Sequence, residues 1–377
     1  MSVFVRRPPL LPLLLSLSSL LTVRVACAQS VATNPVGYVQ IACTGSSDTV
    51  VSVPFMQPAI FSGTVQAISG NVVTVGSTSV WTANQLVYSG SGESTYFAQF
   101  GPGASATDPK DGSSYTITAN GTNSVTLALN GDTISAVPVG SAISVAPYWT
   151  IATVFPASNE LSVNANGSFA KSSSTRLSGL NTQILIPSYS GTGVNLSTAN
   201  SYYFYNGVWN LYGETNPNHV AGDDVLINNG YFVVRNANTP TTTLTALGSV
   251  AMGNSMLPLA TEASIQQDNP VAIPRPVPVQ LNALGLANSA AFTTSTSTRL
   301  SQLADQLLVF SGTSTGFNPS ASATYYYYQG HWALYGDLNG AGVDHGTDTI
   351  PAGSGFVIRK EPTGTGASTF WQNPSPY

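Results

Sequence analysis

The chain has 377 residues, of which 7% are charged and 42% hydrophobic, with 35 Gly, 24 Pro and a formal net charge of −5. An ordinary soluble domain is about a quarter charged, so a coiled coil or a protein of long solvated helices is excluded. Disorder is excluded by 17 Tyr, 14 Phe and 5 Trp, and 11 Lys and Arg in the whole chain supply no basic patch for nucleic acid.

Residues 1–28 read as a secretory signal peptide. Arg6 and Arg7 give the positive start, Leu10 to Leu21 an apolar run short for a membrane span, and Ala26-Cys27-Ala28 the cleavage site, with Gln29 next. Pro8, Pro9 and Pro12 disfavour a retained anchor, Arg24 disfavours acylation at Cys27, and Pro8-Pro9 disfavours twin-arginine export. Cleavage leaves 377 − 28 = 349 residues and removes Arg6, Arg7 and Arg24, so 11 − 3 = 8 basic residues face 16 acidic ones, a net charge of −8. Cys43 then has no partner for an internal disulfide, and its strand-like surroundings predict a buried, unreactive thiol.

Short Val/Ile/Thr/Tyr/Phe runs bounded by Gly, Asn, Asp and Ser recur along the mature chain and predict strands. They cover Val36–Ala42, Thr49–Phe55, Gly63–Ile68, Asn71–Val75, Gln85–Tyr88, Thr95–Phe100, Tyr115–Thr118, Ser124–Leu129 and Ala142–Ala146. Ser69-Gly70-Asn71, Pro109-Lys110-Asp111-Gly112 and Asn130-Gly131-Asp132 are turn chemistry between them. No segment has a sustained helical period; Arg299–Leu307 offers at most a starting turn.

An internal repeat organises the rest. Residues 174–213 and 297–336 both begin Ser-Thr-Arg-Leu-Ser and end on Trp209-Asn-Leu-Tyr-Gly213 and Trp332-Ala-Leu-Tyr-Gly336. About half of these paired positions are identical without a gap. After one added residue Gly230-Tyr-Phe-Val-Val-Arg235 matches Gly355-Phe-Val-Ile-Arg359. Each copy predicts an apolar strand, a Tyr-rich strand (202–205, 325–328), a tight turn at Asn206-Gly207 or Gln329-Gly330, a Trp strand, an acidic loop and a Val/Ile-Arg strand. Pro270, Pro274, Pro276 and Pro278 keep the segment 237–296 out of a central strand, so it is expected along the surface or an edge.

The fold expected is all-β: a small N-terminal β-barrel or sandwich region, then a pseudo-duplicated β-sandwich or barrel built from two similar β-repeats. The divisions are a signal peptide at 1–28, an N-terminal β region at 29–156, and a C-terminal β region at 157–377 holding the repeats 171–236 and 295–360. Short strands and the ending Asn373-Pro-Ser-Pro-Tyr377 argue against an outer-membrane barrel, and no apolar run after the signal is long enough for a membrane helix.

Asn34-Pro-Val-Gly-Tyr38, Pro147-Tyr-Trp-Thr-Ile-Ala-Thr-Val-Phe-Pro156, Gln267-Asp-Asn-Pro-Val-Ala-Ile-Pro-Arg-Pro276, Asp305-Gln-Leu-Leu-Val-Phe310, Ala323-Thr-Tyr-Tyr-Tyr327 and Gly353-Ser-Gly-Phe-Val-Ile-Arg359 together carry a resemblance. The chain resembles an uncharacterised family of exported proteins from Verrucomicrobia and similar bacteria. The resemblance implies export and carries no activity, cofactor or site residue with it.

No catalytic, cofactor-binding or metal site is assigned. His219, His331 and His345 lie in no triad motif, no Gly-x-Ser-x-Gly elbow joins a strand to a helix, and Glu160 and Glu262 stand alone. His219 and His345, in matching loops, read as exposed polar residues. The loop Asp337 to Asp348 places Asp337, Asn339 and Asp348 at calcium-loop positions 1, 3 and 12 with Gly342 at 6, but Ala341 fills position 5. The other copy has Glu214, Asn216, Asn218, Asp223 and Asp224 at a different spacing, so solvated turn acids are the preferred reading. Trp209 and Trp332 read as core anchors in preference to sugar platforms. The function expected is an exported, non-catalytic surface or extracellular protein with a structural or adhesive role and no cofactor. The alternative is a glycan-binding module, with or without calcium. Surface polysaccharide or other envelope proteins are the partners in view.

Overall fold

The computed structural model describes residues 35–76, 79–101, 108–156, 169–287 and 289–377; the expected signal segment 1–28, Cys27 and Glu160 lie outside them. The strands begin with β1 (Val36–Cys43) and β2 (Ser47–Val51). A compact run follows: β3 (Phe61–Thr64), β4 (Ala67–Ser69), β5 (Val72–Thr74), β6 (Tyr96–Phe100), β7 (Ser114–Asn120), β8 (Ser124–Leu127) and β9 (Ala142–Pro147). Next come β10 (Trp149–Thr150), the one-turn helix α1 (Ile151–Val154), β11 (Gln183–Pro187), β12 (Thr198–Tyr205), β13 (Val208–Leu211), β14 (Val225–Leu226), β15 (Phe232–Asn236) and β16 (Thr242–Ser249). The chain finishes with β17 (Ser255–Leu259), β18 (Gln267–Ala272), β19 (Val279–Gln280), β20 (Gln306–Val309), β21 (Ala323–Tyr328), β22 (His331–Leu334), β23 (Thr349–Ile350), β24 (Gly355–Lys360) and β25 (Thr369–Asn373). The fold is all-β, with antiparallel sheets.

Strands β3 to β9 form one curled sheet in the order β3-β9-β6-β7-β8-β5-β4. Alternate residues of β7, β8 and β9 point inward, as a half-solvated sheet requires. They enclose Trp81, Leu86, Phe100, Ile117, Val125 and Val145. Gln85–Tyr88, expected as a strand, is a turn instead: Asn84 has φ 61° and the Leu86 N–H donates to Asn120 Oδ1 at 2.8 Å.

The two copies of the repeat form two five-stranded sheets, β13-β12-β11-β15-β2 and β22-β21-β20-β24-β18, which match strand for strand. Two-stranded ribbons match as well, β1·β16 with β17·β25 and β10·β14 with β19·β23. The Asn206-Gly207 and Gln329-Gly330 turns both carry two successive positive φ values, 51° and 81°, and 48° and 88°. That is the backbone a two-residue hairpin requires. Trp209 packs with Phe155, Phe204 and Phe232 in one core, and Trp332 with Phe292, Tyr327 and Phe356 in the other.

Pairing departs from the expected division at residue 156. Strands β1 and β2 belong to the first half: β2 pairs with β15 and β1 with β16. The curled sheet is therefore inserted between β2 and β10. Segment 237–296 holds β16 to β19, and β18 is an edge strand, as Pro270 demands, yet all six of its residues are buried.

The two halves clasp each other reciprocally. The Asp48 N–H donates to Gly316 O at 2.9 Å, and the Asp268 N–H to Gly193 O at 2.9 Å. Asn318 N–H donates to Asp48 Oδ2 at 2.8 Å, and Asn195 N–H to Asp268 Oδ2 at 2.7 Å. Each half thus caps the edge strand of the other, and Tyr231, Ala272, Val357, Val50, Val233 and Leu308 pack between them.

Candidate functional site

A cleft of about 770 Å³ opens where the inserted sheet, the first half and the second half meet. The inserted sheet contributes β7 and the turn after β8, which the Asn130-Gly131-Asp132 sequence builds through positive φ at Asn130 and Gly131. Tyr189 and residues 225–230 form the second wall; Met256, Pro258, Pro270 and Phe370 belong to the third.

Its ionisable groups are spoken for. Asp132 receives Lys110 Nζ on both oxygens, at 2.6 and 2.7 Å, and the Tyr115 hydroxyl at 2.6 Å. Burial pushes the Asp132 carboxyl up, but Lys110, Tyr115 and the Thr133 N–H outweigh it and hold the pKa below the usual value. Burial, then the Asp132 contact, keeps the Tyr115 phenol well above its ordinary value. Tyr148 shares a hydrogen bond with Thr116 Oγ1 at 2.9 Å, and Tyr189 donates to Tyr231 O at 2.5 Å. Phe370 is 40% exposed, and the Lys110 ammonium stands 4.6 Å from its ring centroid. Asn228 Oδ1 is shielded from solvent and has no hydrogen-bond partner.

The sequence-marked histidines lie elsewhere, in matching arrangements. His345 Nδ1 is 2.9 Å from Asp348 Oδ2 and Nε2 is 3.1 Å from Asp337 Oδ2, while Tyr325 donates to Asp348 at 2.9 Å. His219 Nε2 is 2.9 Å from Asp224 Oδ1 and Nδ1 is 2.9 Å from Glu214 Oε2, while Tyr202 donates to Asp224 at 2.8 Å. Asp224 foremost raises the His219 pKa above the usual histidine value, and for His345 Asp337 and Asp348 outweigh burial and do the same. The two histidines are partly buried clasps of their loops, where exposed residues were expected.

Asp337 and Asp348 thus close on an imidazole, and Asn339 donates its backbone N–H to Asp337 Oδ1 at 3.0 Å. Among the described residues no group of three or more His, Cys, Asp or Glu could hold a metal ion. His331 contacts Ala341 O at 2.7 Å. Trp209 and Trp332 are buried and present no platform. Cys43 is buried and its thiol is pushed up to about 12 by desolvation. Among the described residues no helix is long and apolar enough to cross a membrane.

No motif marked Tyr189, Asn228 or Phe370. The available signal was a mismatch between copies: Ile227-Asn-Asn-Gly-Tyr231 stands where the second has Pro351-Ala-Gly-Ser-Gly355. No protein-family model matches the chain, and comparison with curated proteins and with solved structures found no match.

Proposed function

We propose that the protein is an exported, non-catalytic β protein with an adhesive role, and that it holds its ligand in the three-walled cleft. The observation carrying this reading is the cleft's make-up: about 770 Å³, with aromatic and amide side chains on its walls and an acid already engaged by Lys110 and Tyr115. Clefts of this size and mixed lining suit ligand binding. General acid–base work needs a group free to take or give a proton, and Asp132 is not one. Export is supported by the tripartite N-terminus and by the resemblance to exported bacterial proteins. A duplicated unit whose halves cap each other's edges supports a rigid, load-tolerant body.

The test uses the mature protein on a printed array of oligosaccharides and peptides. Ile227→Trp places a bulky side chain in the cleft from an exposed position. Retention by the parent protein, lost in Ile227→Trp at unchanged melting temperature, supports the reading. Retention that survives the substitution, or turnover of a retained ligand, rejects it.

A further inference from the structure

We infer that the cleft takes a neutral oligosaccharide, with Phe370 as the face on which a sugar ring stacks and Asn229 as a hydrogen-bond partner of a sugar hydroxyl. The inference rests on the cleft being the binding site, as proposed above.

Charge decides first. Asp132 lines the cleft, with Lys110 on both its oxygens, so the pair adds no net charge. A phosphate, carboxylate or ammonium entering would shed water and find no unpaired counter-charge there, which is costly. Lys110 is doubly committed, since it also stands over the Phe370 ring. That contact anchors a half-exposed aromatic ring in place before any ligand arrives, which lowers the ordering cost of stacking.

The polar inventory decides next. The partly exposed lining includes Ser114, Thr116, Asn130 and Asn229, which offer neutral donors and acceptors. A purely apolar ligand, such as an acyl chain, would strip these groups of water without replacing it, at the cost of unsatisfied polar groups. A sugar brings hydroxyl donors on one edge and C–H faces for Phe370 on the other. An extended peptide would instead add to a free strand edge. On β17 and β18 the donors beside the cleft are already engaged: Met256 N–H on Gly112 O at 3.0 Å, Asp268 N–H on Gly193 O at 2.9 Å, and Ala272 N–H on Asn229 O at 2.8 Å.

The experiment is calorimetric titration of the mature chain with neutral hexaoses (gluco-, manno-, xylo- and chito-series), with oligogalacturonate, and with uncharged and basic decapeptides. At least one neutral oligosaccharide is expected to bind, with affinity nearly constant as salt is raised, since no ion pair forms. Phe370→Ala and Asn229→Ala should each weaken it about tenfold with melting temperatures unchanged. Binding restricted to oligogalacturonate or peptide, yet abolished by Ile227→Trp, overturns the neutral-sugar inference and leaves the cleft as the site. Absence of all binding, or binding indifferent to Ile227→Trp, overturns both.

Discussion

Asp48 and Arg235 bind side-on across β2 and β15, Nε to Oδ1 and Nη2 to Oδ2, both at 2.8 Å. The Asp48 side chain is 2% exposed. Asp268 and Arg359 repeat the pair in the second half, at 2.7 and 3.0 Å. Each aspartate also receives the N–H of an asparagine from the opposite half, so one side chain joins two strands and two halves.

Removing Arg235 should therefore leave a buried carboxylate short of its main partner. Arg235→Ala is expected to cost about 3 kcal/mol, while Asp48→Ala with Arg235→Ala together should cost less than the sum of the two single changes. Urea denaturation of the three variants checks this; strict additivity would show the pair to be uncoupled.

The histidine clasps predict a pH window. Asp224 foremost raises His219 above the usual histidine value. For His345, burial pulls down but Asp337 and Asp348 outweigh it, so its pKa is also raised. A raised histidine contributes fully below about pH 6.5 and loses that contribution as pH climbs through its folded value. Backbone N–H groups of Asn339 and Asn216 lead in holding Asp337 and Glu214 low. Their contribution is full above about pH 4.5 and lost as pH falls through the folded value. The melting difference between the parent and His345→Gln should peak between these limits and shrink toward pH 9. A difference that is flat from pH 4 to 9 counts against an imidazolium.

Trp209 and Trp332 hold equivalent places but differ at one atom. Trp209 Nε1 donates to Phe155 O at 3.0 Å, whereas Trp332 Nε1 is buried without a partner. Trp→Phe loses volume at both sites, but only at 209 does it also remove a hydrogen bond. Trp209→Phe should be the more destabilising by about 1–2 kcal/mol. Chemical denaturation of both variants decides the order.

The Cys43 thiol should be inert in the folded protein. Buried, with a pKa near 12, it supplies almost no thiolate at neutral pH. Native protein is expected to leave a thiol-disulfide reagent unreacted for hours and to consume one equivalent once denatured. Fast labelling of native protein would mean that the strand carrying it opens readily.

The repeat was legible because its identities run without a gap from Ser174 to Gly213 and from Ser297 to Gly336. Hairpin positions were legible too, since Asn206-Gly207 writes its turn locally. Membership of β1 and β2 in the first half was not, because their partners lie beyond the inserted sheet and backbone pairing leaves no mark on composition. Gln85–Tyr88 has the composition of a strand, but the Leu86 N–H is paired by the Asn120 side chain rather than by a ladder. The cleft was invisible for the same reason as β1: its walls come from residues near 115, 130, 228, 257 and 370, and only the fold brings them together.

The insertion also sets an order of assembly. The second half runs unbroken from Ser255 to Asn373, whereas in the first Val36 must find Ser249 across the whole curled sheet. Loop-closure entropy is lower once the intervening chain has already condensed, and distant pairings form late. The curled sheet should therefore condense first, as its strands emerge, shortening the effective span between β2 and β10. Closure of the β1·β16 ribbon then becomes the slow step. Until it closes, β2 and β15 have open edges, and the folding molecule passes through a stage at which its own second half, or a neighbour's, competes for them.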